Sequence, residues 1–141
     1  IWKTANFGAN AGNPAIAGDT ADPDNDRLPN VWEYALGSNP NGVDSARRPT
    51  GSLASGRFRL QLSRNLSATN LTYTVQRNTR IEGTWTTLLT YTWAGGWTTN
   101  SPGATVSEGG ATGAPPNQYV PVTISDTAPT TRSFFRVLVQ K

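Results

Sequence analysis

Residues 57–63 read RFRLQLS, so that apolar and polar side chains alternate along the whole stretch. Phe58, Leu60 and Leu62 fall on one face of an extended chain, and Arg57 and Arg59 fall on the other. A period of two residues is typical of a β-strand with one buried face. The pattern therefore predicts a strand that packs onto a core through its apolar face and turns a basic face to solvent.

Strand patterns recur in four further stretches downstream, at residues 71–76, 85–93, 120–124 and 133–140. Residues 94–96 (AGG) reverse the chain into a short strand at 97–99, because glycine accepts the backbone conformations that tight turns need. Several short antiparallel strands without long intervening helices indicate a β-sandwich. We therefore expect a mainly β protein, with an immunoglobulin-like antiparallel β-sandwich over residues 50–141.

Two connections within the sandwich are predicted from their composition. Residues 65–70 lie between the first two strand patterns and are expected to be a hairpin connection. Residues 101–117 are rich in glycine, proline and small side chains, and they are expected to form a long surface loop.

The segment before the sandwich, residues 1–49, is predicted to be a small helical appendage. A short helix or turn is expected around residues 2–7. Residues 30–36 are a run of moderate to good helix formers, and Gly37 is placed to end that helix. Residues 48–51 (RPTG) are rich in turn formers and mark a linker to the sandwich.

Oxygen-bearing side chains occupy positions one, three, five, nine and twelve of residues 22–33 (DPDNDRLPNVWE). A calcium ion takes six to eight oxygen ligands at about 2.3–2.6 Å, and a chain coiling around it turns alternate residues inward. Position seven of such a loop supplies its backbone carbonyl, and a glutamate at position twelve supplies both carboxylate oxygens. The predicted calcium ligands are Asp22, Asp24, Asp26, the Leu28 carbonyl, Asn30 and Glu33.

Position six of this loop is Arg27, where calcium loops normally carry glycine. The chain turns there with positive φ, which costs a non-glycine residue about 1–2 kcal/mol. The alternative interpretation is an acidic surface turn in which aspartate side chains accept hydrogen bonds from their own backbone. Agreement at all five side-chain positions favours calcium. Asp19, just upstream, is expected to be a turn residue or a neighbour of the ligands.

Charge is divided unevenly along the chain. Residues 1–46 carry six acidic and two basic side chains, a net charge of −4, whereas residues 47–141 carry ten basic and three acidic ones, a net charge of +7. A bound calcium ion would offset half of the negative excess in the first segment. The overall pI of about 9.7 hides this division.

The composition excludes several functional classes. The chain contains no cysteine and no histidine, which removes disulfide frameworks, the usual zinc sites and histidine-dependent acid-base catalysis. The three acidic residues after residue 47 show no pairing that suggests carboxylate catalysis, so a non-catalytic protein is expected. No apolar run approaches the roughly 20 residues that cross a bilayer, so no membrane span is expected.

A second binding surface is suggested by aromatic residues near the AGG turn. Tyr91, Trp93 and Trp97 could form a platform that stacks on sugar rings, which would make the chain a carbohydrate-binding module. The competing interpretation is that Trp93 and Trp97 face each other as a cross-strand pair that stabilises the hairpin. Strand alternation accounts for the arginines of the basic strand face, so no nucleic-acid partner is expected.

Two parts of the chain resemble known families. Residues 18–40 (GDTADPDNDRLPNVWEYALGSNP) resemble the thrombospondin type 3 and dockerin-like calcium repeats of secreted bacterial proteins. Residues 71–75 (LTYTV), 85–86 (WT) and 134–137 (FFRV) resemble the β-sandwich module at the C-terminus of many large bacterial surface proteins. These resemblances imply an extracellular, non-catalytic role in adhesion or assembly.

The functional prediction is a secreted, calcium-stabilised structural or adhesion module at the bacterial cell surface, where calcium is about millimolar. The opposite charges of the two segments suggest head-to-tail self-association into a filament, because such a contact need not close. Other surface proteins are alternative partners. The alternative function is a carbohydrate-binding module that takes glycans. Since the chain begins at Ile1, it is expected to be a processed mature protein or a piece of a longer one.

Overall fold

The computed structural model describes residues 1–100, 103–127 and 133–141. Short helices near the N-terminus precede a series of β-strands. The helices are α1 (Trp2–Phe7), α2 (Pro14–Ala17) and α3 (Asn30–Leu36), with 3₁₀ helices at Gly8–Gly12 and Ser45–Arg47. Within these described ranges, no helix is long and apolar enough to cross a lipid bilayer.

The strands assemble into two antiparallel sheets of four strands each in the described part of the chain. The strands are β1 (Thr50–Ala54), β2 (Arg57–Asn65), β3 (Thr72–Asn78), β4 (Thr86–Thr92), β5 (Gly96–Thr99), β6 (Ala104–Glu108), β7 (Tyr119–Asp126) and β8 (Phe134–Gln140). One sheet has the order β1-β2-β7-β6, and the other has the order β5-β4-β3-β8. The predicted mainly β sandwich with small N-terminal helices is confirmed.

The structure differs from the sequence prediction at β1 and β6. β1 begins inside the predicted linker, and its first four residues are all exposed, so its sequence carries no alternation that marks a strand. β6 lies within residues 101–117, which were expected to be a loop; residues 101 and 102 fall outside the described part. Pairing with neighbouring strands of the sheet specifies both strands, and that information is not local.

Residues 65–70 are a second correction. The strands on either side, β2 and β3, belong to different sheets, so this segment crosses between the sheets and is not a hairpin connection. Side-chain alternation identifies a strand but does not identify its neighbour. The backbone N–H of Ser67 donates to Asn65 Oδ1 at 2.8 Å, which stabilises a local turn at the start of the crossing.

The chain divides into two compact units. The first unit comprises Ile1–Pro49, Leu62–Ala68 and Glu108–Val122. The second unit comprises Thr50–Gln61, Thr69–Ser107 and Thr123–Lys141. The expected boundary at residue 49 coincides with one boundary of these units, but the first unit also contains two later segments. This is because β2, β6 and β7 each continue from one unit into the other.

Within the second unit, side chains on the inward faces join the two sheets. Phe58 of β2 stacks on Phe135 of β8 with ring centroids 3.7 Å apart. Arg77 of β3 donates from Nη1 to both carboxylate oxygens of Asp126 in β7, each at 2.8 Å. Tyr73 of β3 is fully buried. These contacts place β8 opposite β2 and β3 opposite β7.

Within the first unit, the N-terminal helices pack around an aromatic cluster. Trp2 and Phe7 of α1 are buried together with Ala17 of α2, and Ile16 and Tyr34 pack against them. The Trp2 and Phe7 rings meet edge to face with centroids 5.7 Å apart, a favoured geometry for aromatic pairs. Tyr34 belongs to α3, so this cluster ties the first helices to the helix that follows the acidic loop.

The end of α3 is fixed by Gly37. Its φ of 71° is left-handed, a conformation that glycine adopts without the clash of a Cβ. A Cβ at this position would also lie 3.1 Å from the Tyr119 Cβ and 3.2 Å from the Asn117 carbonyl oxygen. Glycine is therefore required both by the turn and by the close packing around it.

Tyr34 anchors the middle of α3 through two hydrogen bonds. Its hydroxyl donates to the Ser67 carbonyl oxygen at 3.1 Å, and its own carbonyl oxygen accepts from Asn65 Nδ2 at 2.8 Å. Asn65 Nδ2 also donates to the Pro116 carbonyl oxygen at 3.0 Å, and Asn65 is buried. The position of α3, and with it the position of the neighbouring Glu33, is thereby fixed within the first unit.

Candidate metal centre

The loop between α2 and α3 brings three predicted ligands together. Carboxylate oxygens of Asp22, Asp24 and Asp26 all lie within 4.8 Å of one another. Ligand oxygens that sit about 2.3–2.6 Å from one calcium ion are separated from each other by at most about twice that distance. The three carboxylates are therefore close enough to share a single cation.

Hydrogen bonds from the loop backbone orient these carboxylates. The Asp26 N–H lies 3.1 Å from Asp22 Oδ1 and 3.2 Å from Asp24 Oδ1. The Arg27 N–H donates to Asp22 Oδ2 at 2.9 Å, and the Leu28 N–H donates to Asp26 Oδ1 at 2.8 Å. These are the bonds expected of an acidic turn, and they also hold the side chains in a fixed arrangement.

Glu33, the predicted ligand at position twelve, lies in the first turn of α3 and is only 1% exposed. Neither of its carboxylate oxygens has a hydrogen-bond partner in the described structure. The pKa of Glu33 rises to about 8, first because of burial and then because of the charges of Asp24, Asp26, Asp22 and Asp44. A buried carboxylate among like charges requires either a proton or a cation.

Asn30, the predicted ligand at position nine, begins α3 and is also 1% exposed. Its Nδ2 donates to the carbonyl oxygens of Ile16 and Gly18, both at 2.8 Å. These bonds fix the orientation of the amide, and Oδ1 is left buried with no hydrogen-bond partner among the described residues. Because residues three apart are neighbours on a helix surface, Asn30 and Glu33 share one face of α3.

The two carboxylate oxygens of Asp24 have different surroundings. Oδ1 accepts from the Asp26 N–H, whereas Oδ2 is buried and has no partner in the part of the chain described. Burial raises the pKa of Asp24, although the hydrogen bond from the Asp26 backbone lowers it. Among the predicted ligands, the buried oxygens without a hydrogen-bond partner in the described structure are therefore Asp24 Oδ2, Asn30 Oδ1 and both carboxylate oxygens of Glu33.

The backbone turns sharply at Arg27. Its φ is 71°, so the positive φ predicted for position six of the loop is confirmed. Asn25, with a φ of 59°, is also left-handed, a conformation that asparagine tolerates better than most residues. Arginine keeps a Cβ in this conformation and bears a cost of roughly 1–2 kcal/mol.

Two residues outside the predicted ligand set contact Asp26. Arg48 Nη2 lies 3.2 Å from Asp26 Oδ1 and also donates to the Asp26 carbonyl oxygen. The Asp44 N–H lies 3.4 Å from Asp26 Oδ2. No local spacing rule could have found these contacts, because they join residues 18 and 22 positions apart. Arg48 therefore offsets part of the negative charge at one side of the loop.

Leu28 and Asp19 complete the loop. The Leu28 side chain is 7% exposed, and the role of its carbonyl as a ligand stays a prediction. The Asp19 carboxylate lies 3.3 Å from Lys3 Nζ, and the Asp19 carbonyl oxygen accepts from the Val31 N–H at 3.0 Å. Asp19 thus links α1 to the start of α3 and lies in a turn ahead of the acidic loop.

The aromatic residues near the AGG turn do not lie on one exposed surface. The strand register pairs Tyr91 with Trp97 and Thr92 with Gly96, so the predicted cross-strand pair of Trp93 and Trp97 is wrong. Tyr91 is 6% exposed, and its ring lies 5.2 Å from that of Trp97 and edge-on to Tyr73. Trp93 lies in the turn and is 53% exposed. Of these residues, Trp93 is the one that presents a large aromatic surface to solvent.

Comparisons with protein-family models, with curated proteins and with solved structures find no match to this chain. The chemistry of the acidic loop therefore rests on its own geometry. Asp22, Asp24 and Asp26 cluster, whereas Glu33 is not among the carboxylates within 4.8 Å of one another; these four residues and Asn30 all offer oxygen rather than nitrogen or sulfur donors. Such a set suits a hard cation such as calcium or magnesium.

Glu33 predicts an unusual pH dependence of stability in metal-free protein. As pH rises, the unfolded chain loses the Glu33 proton near 4.5, whereas the folded chain keeps it until about pH 8. The folded state therefore binds more protons in this window, and the free energy of unfolding should fall as pH rises. Melting temperatures measured in chelator between pH 5 and 8 should show this decline.

Glu33→Gln is the matched control, because it keeps the size of the side chain and removes the ionisable group. The decline between pH 5 and 8 should be markedly shallower in Glu33→Gln. An equal decline in both proteins would show that Glu33 is not held in a buried, proton-binding environment.

Proposed function

We propose that the loop at residues 22–33 binds one calcium ion and that calcium stabilises the first unit. The observation that carries this proposal is the Glu33 carboxylate, which is buried, has no hydrogen-bond partner in the described structure and faces the field of nearby aspartates. A calcium ion would supply the missing partner and offset the repulsion. The ligands are Asp22, Asp24, Asp26, the Leu28 carbonyl, Asn30 and Glu33.

Calcium is favoured over magnesium by the number and kind of donors. Magnesium demands near-ideal octahedral geometry and usually keeps several waters, with one or two protein carboxylates. Three aspartate carboxylates cluster in this loop, the buried Glu33 carboxylate and Asn30 amide oxygen follow in α3, and calcium accepts six to eight oxygens in flexible geometry. The negative charge of the aspartates and of Glu33 also favours binding of a divalent cation over a monovalent one.

The structural consequence of the ion would be to join the loop to α3. Asp22, Asp24 and Asp26 belong to the loop, whereas Asn30 and Glu33 belong to the helix. The helix is in turn held by the hydrogen bonds of Tyr34 described above. One ion would therefore stabilise the loop, the helix and the packing around them as a single cooperative part.

The wider role that we propose is a non-catalytic structural or adhesion module outside the cell. Extracellular calcium is concentrated enough to saturate even a loop weakened by strain at Arg27. The resemblance of residues 18–40 to calcium repeats of secreted bacterial proteins supports the same location. Glycan binding is the second candidate function, and the exposed Trp93 is the feature that favours it.

Head-to-tail self-association into a filament is the more specific form of this proposal. The −4 charge of residues 1–46 and the +7 charge of the remainder support it. Internal ion pairs reduce the driving force, since Asp19, Asp26 and Asp44 already lie beside Lys3, Arg48 and Arg47. Any electrostatic contact between copies would therefore be modest and sensitive to salt.

Calcium should raise the melting temperature of the chain. A ligand that binds only the folded state adds about 2.7 kcal/mol at a hundredfold excess over its dissociation constant. This corresponds to roughly 8 °C at about 3 °C per kcal/mol. Differential scanning calorimetry with calcium and with chelator measures the rise, and Glu33→Ala should abolish it. A melting curve that calcium leaves unchanged would refute the metal site.

Replacing Arg27 separates backbone strain from charge. Arg27→Gly removes both the left-handed strain and a positive charge beside the ligands, so metal-free stability and calcium affinity should both rise. Arg27→Ala removes the charge but keeps the strain, so it should raise calcium affinity without the gain in stability. Isothermal titration and thermal melting of both variants measure these effects. Equal metal-free stability of the two variants would mean that the cost of the positive φ at residue 27 is no larger than the backbone entropy that glycine gains on unfolding.

Self-association should be visible by sedimentation velocity at low salt. If opposite charges join the copies, larger species should appear at high protein concentration and decline as salt is added, because exposed charges are screened beyond about 8 Å at physiological ionic strength. Calcium should weaken the contact by neutralising the acidic loop. A strict monomer at low salt, with and without calcium, would rule out the filament.

A further inference from the structure

A cavity of about 250 Å³ lies at one end of the sheet β1-β2-β7-β6, where β1 and β7 end and β2 and β6 begin. Each of the four strands contributes to its lining, and every lining residue belongs to the second unit. Arginine and hydroxyl side chains make up most of the lining that can donate hydrogen bonds: Arg57, Arg59, Ser55, Thr105, Ser125 and Thr127.

Small neighbouring side chains keep this cavity open. Arg57 pairs with Ala54 of β1 and Arg59 pairs with Ser52, and paired residues of an antiparallel sheet point to the same face. On the other side of β2, the neighbouring strand β7 contributes Ser125 to the lining. These side chains are too short to fill the space beside the two arginines, and none of them carries a charge that would neutralise a guanidinium.

The positive charge of the cavity is not balanced by the chain itself. Within the described ranges, neither Arg57 nor Arg59 forms an ion pair. The sequence of the second unit contains two acidic residues, and Glu82 lines a different cavity. Asp126 lines the same cavity as the two arginines, but its side chain is 1% exposed and both of its carboxylate oxygens accept from Arg77 Nη1.

The spacing of Arg57 and Arg59 places two like charges side by side. Residues two apart on a strand lie on the same face, with Cα atoms about 7 Å apart. Two unbalanced guanidinium groups at this separation repel each other, and an anion between them would be attracted by both.

The backbone around the cavity is already ordered. Ser55 and Gly56 have φ angles of 52° and 74° and form a two-residue turn that leads directly into Arg57. Positive φ at both central residues is the type I′ geometry, whose twist matches that of the flanking strands. On the opposite side, the Thr127 N–H donates to the Gly103 carbonyl oxygen. A ligand would therefore have little backbone to order on binding.

We propose that this cavity, which we call the arginine cup, binds a tetrahedral oxyanion carried as a phosphate or sulfate monoester. A guanidinium presents its N–H donors in a planar fork that matches two oxygens of such an anion. Arg57 and Arg59 supply two such forks. The hydroxyls of Ser125 and Thr127 supply further donors for the remaining oxygens.

The number of donors favours a tetrahedral oxyanion over a carboxylate. A phosphate monoester offers three terminal oxygens and a charge of about −1.5 to −2 at pH 7, which matches two guanidinium groups. A carboxylate offers two oxygens and a single charge. A sulfate monoester has the three oxygens but also a single charge, so the phosphate should bind more tightly.

The volume of the arginine cup limits what it can enclose. Pockets that surround a drug-sized molecule measure about 300–1,000 Å³, and the cup is smaller than this range. The cup therefore takes the charged group, and the molecule that carries the ester extends into solvent.

The test measures binding of small probes to the full chain by isothermal titration at low salt. The probes are glucose 6-phosphate, glucose 6-sulfate, glucuronate, glucose and inorganic sulfate, and amide chemical shifts locate the site. Measurements with calcium and with chelator separate this proposal from the calcium site, because the acidic loop belongs to the first unit and shares no residue with the cup.

Both monoesters should bind at one site per chain, the phosphate more tightly, and both should shift the amides of Arg59, Ser125 and Thr127. Glucuronate should bind about tenfold more weakly than glucose 6-phosphate, since a hydrogen bond to a charged group is worth roughly that factor. Glucose should not bind measurably, because it carries no charge.

Arg57→Gln and Arg59→Gln should each weaken binding of glucose 6-phosphate by about tenfold. Ser125→Leu keeps the charge of the cup but fills its space, and it should weaken binding as well. Arg80→Gln is the matched control, because it removes the same charge from another exposed arginine of the second unit that forms no ion pair in the described structure. It should leave binding within about twofold of the unmodified chain, and melting temperatures should confirm that all variants are folded.

Several results would overturn the proposal. Failure of both monoesters to bind, or shifts confined to residues outside the cup, would refute the site. Equal binding of glucuronate would exclude a preference for tetrahedral oxyanions. Equal losses in Arg80→Gln and Arg57→Gln would reduce the effect to general attraction by a basic surface, and full binding by Ser125→Leu would show that the cavity is not used. Inorganic sulfate that binds as tightly as glucose 6-sulfate would support the oxyanion site and identify the free anion as its ligand.

Discussion

The first unit depends on one constraint, which is the buried carboxylate of Glu33. Glu33 sits in the first turn of α3, and its two oxygens are buried without partners in the described structure. Gly37 and the hydrogen bonds of Tyr34 fix the helix, so the side chain cannot be exposed without disturbing the packing. The group must therefore either keep a proton or meet a cation, and the charges of the loop aspartates add to the effect of burial in raising its pKa.

The sequence offers two competing interpretations of the acidic loop, and the structure is compatible with both. Self-capping by aspartate and ligation of a metal are not exclusive, because a carboxylate has two oxygens. In Asp24, one oxygen accepts a backbone hydrogen bond and the other is buried without a partner in the described part. The capping bonds already order the loop, so a cation that bound there would have less order to impose.

Local sequence patterns predict part of this structure, and each feature that they miss has a physical reason. Alternation identified β2, β3, β7 and β8, but it could not reveal β1, whose residues are exposed, or show that residues 65–70 cross between sheets. Spacing predicted that Asp22, Asp24 and Asp26 lie together, whereas the contact of Arg48 with Asp26 depends on the fold. The aromatic pair was misassigned because a small shift in a turn changes which residues face each other.

β8 has the composition of a central strand in the position of an edge strand. Edge strands are usually shortened, charged or covered, because their free backbone groups pair readily with other chains. β8 instead carries apolar residues on both faces, with Phe134 and Leu138 on one and Val137 and Val139 on the other. Within the described ranges, β8 therefore combines an outer backbone edge without a neighbouring strand and half-buried apolar side chains, a combination that natural sheets usually avoid.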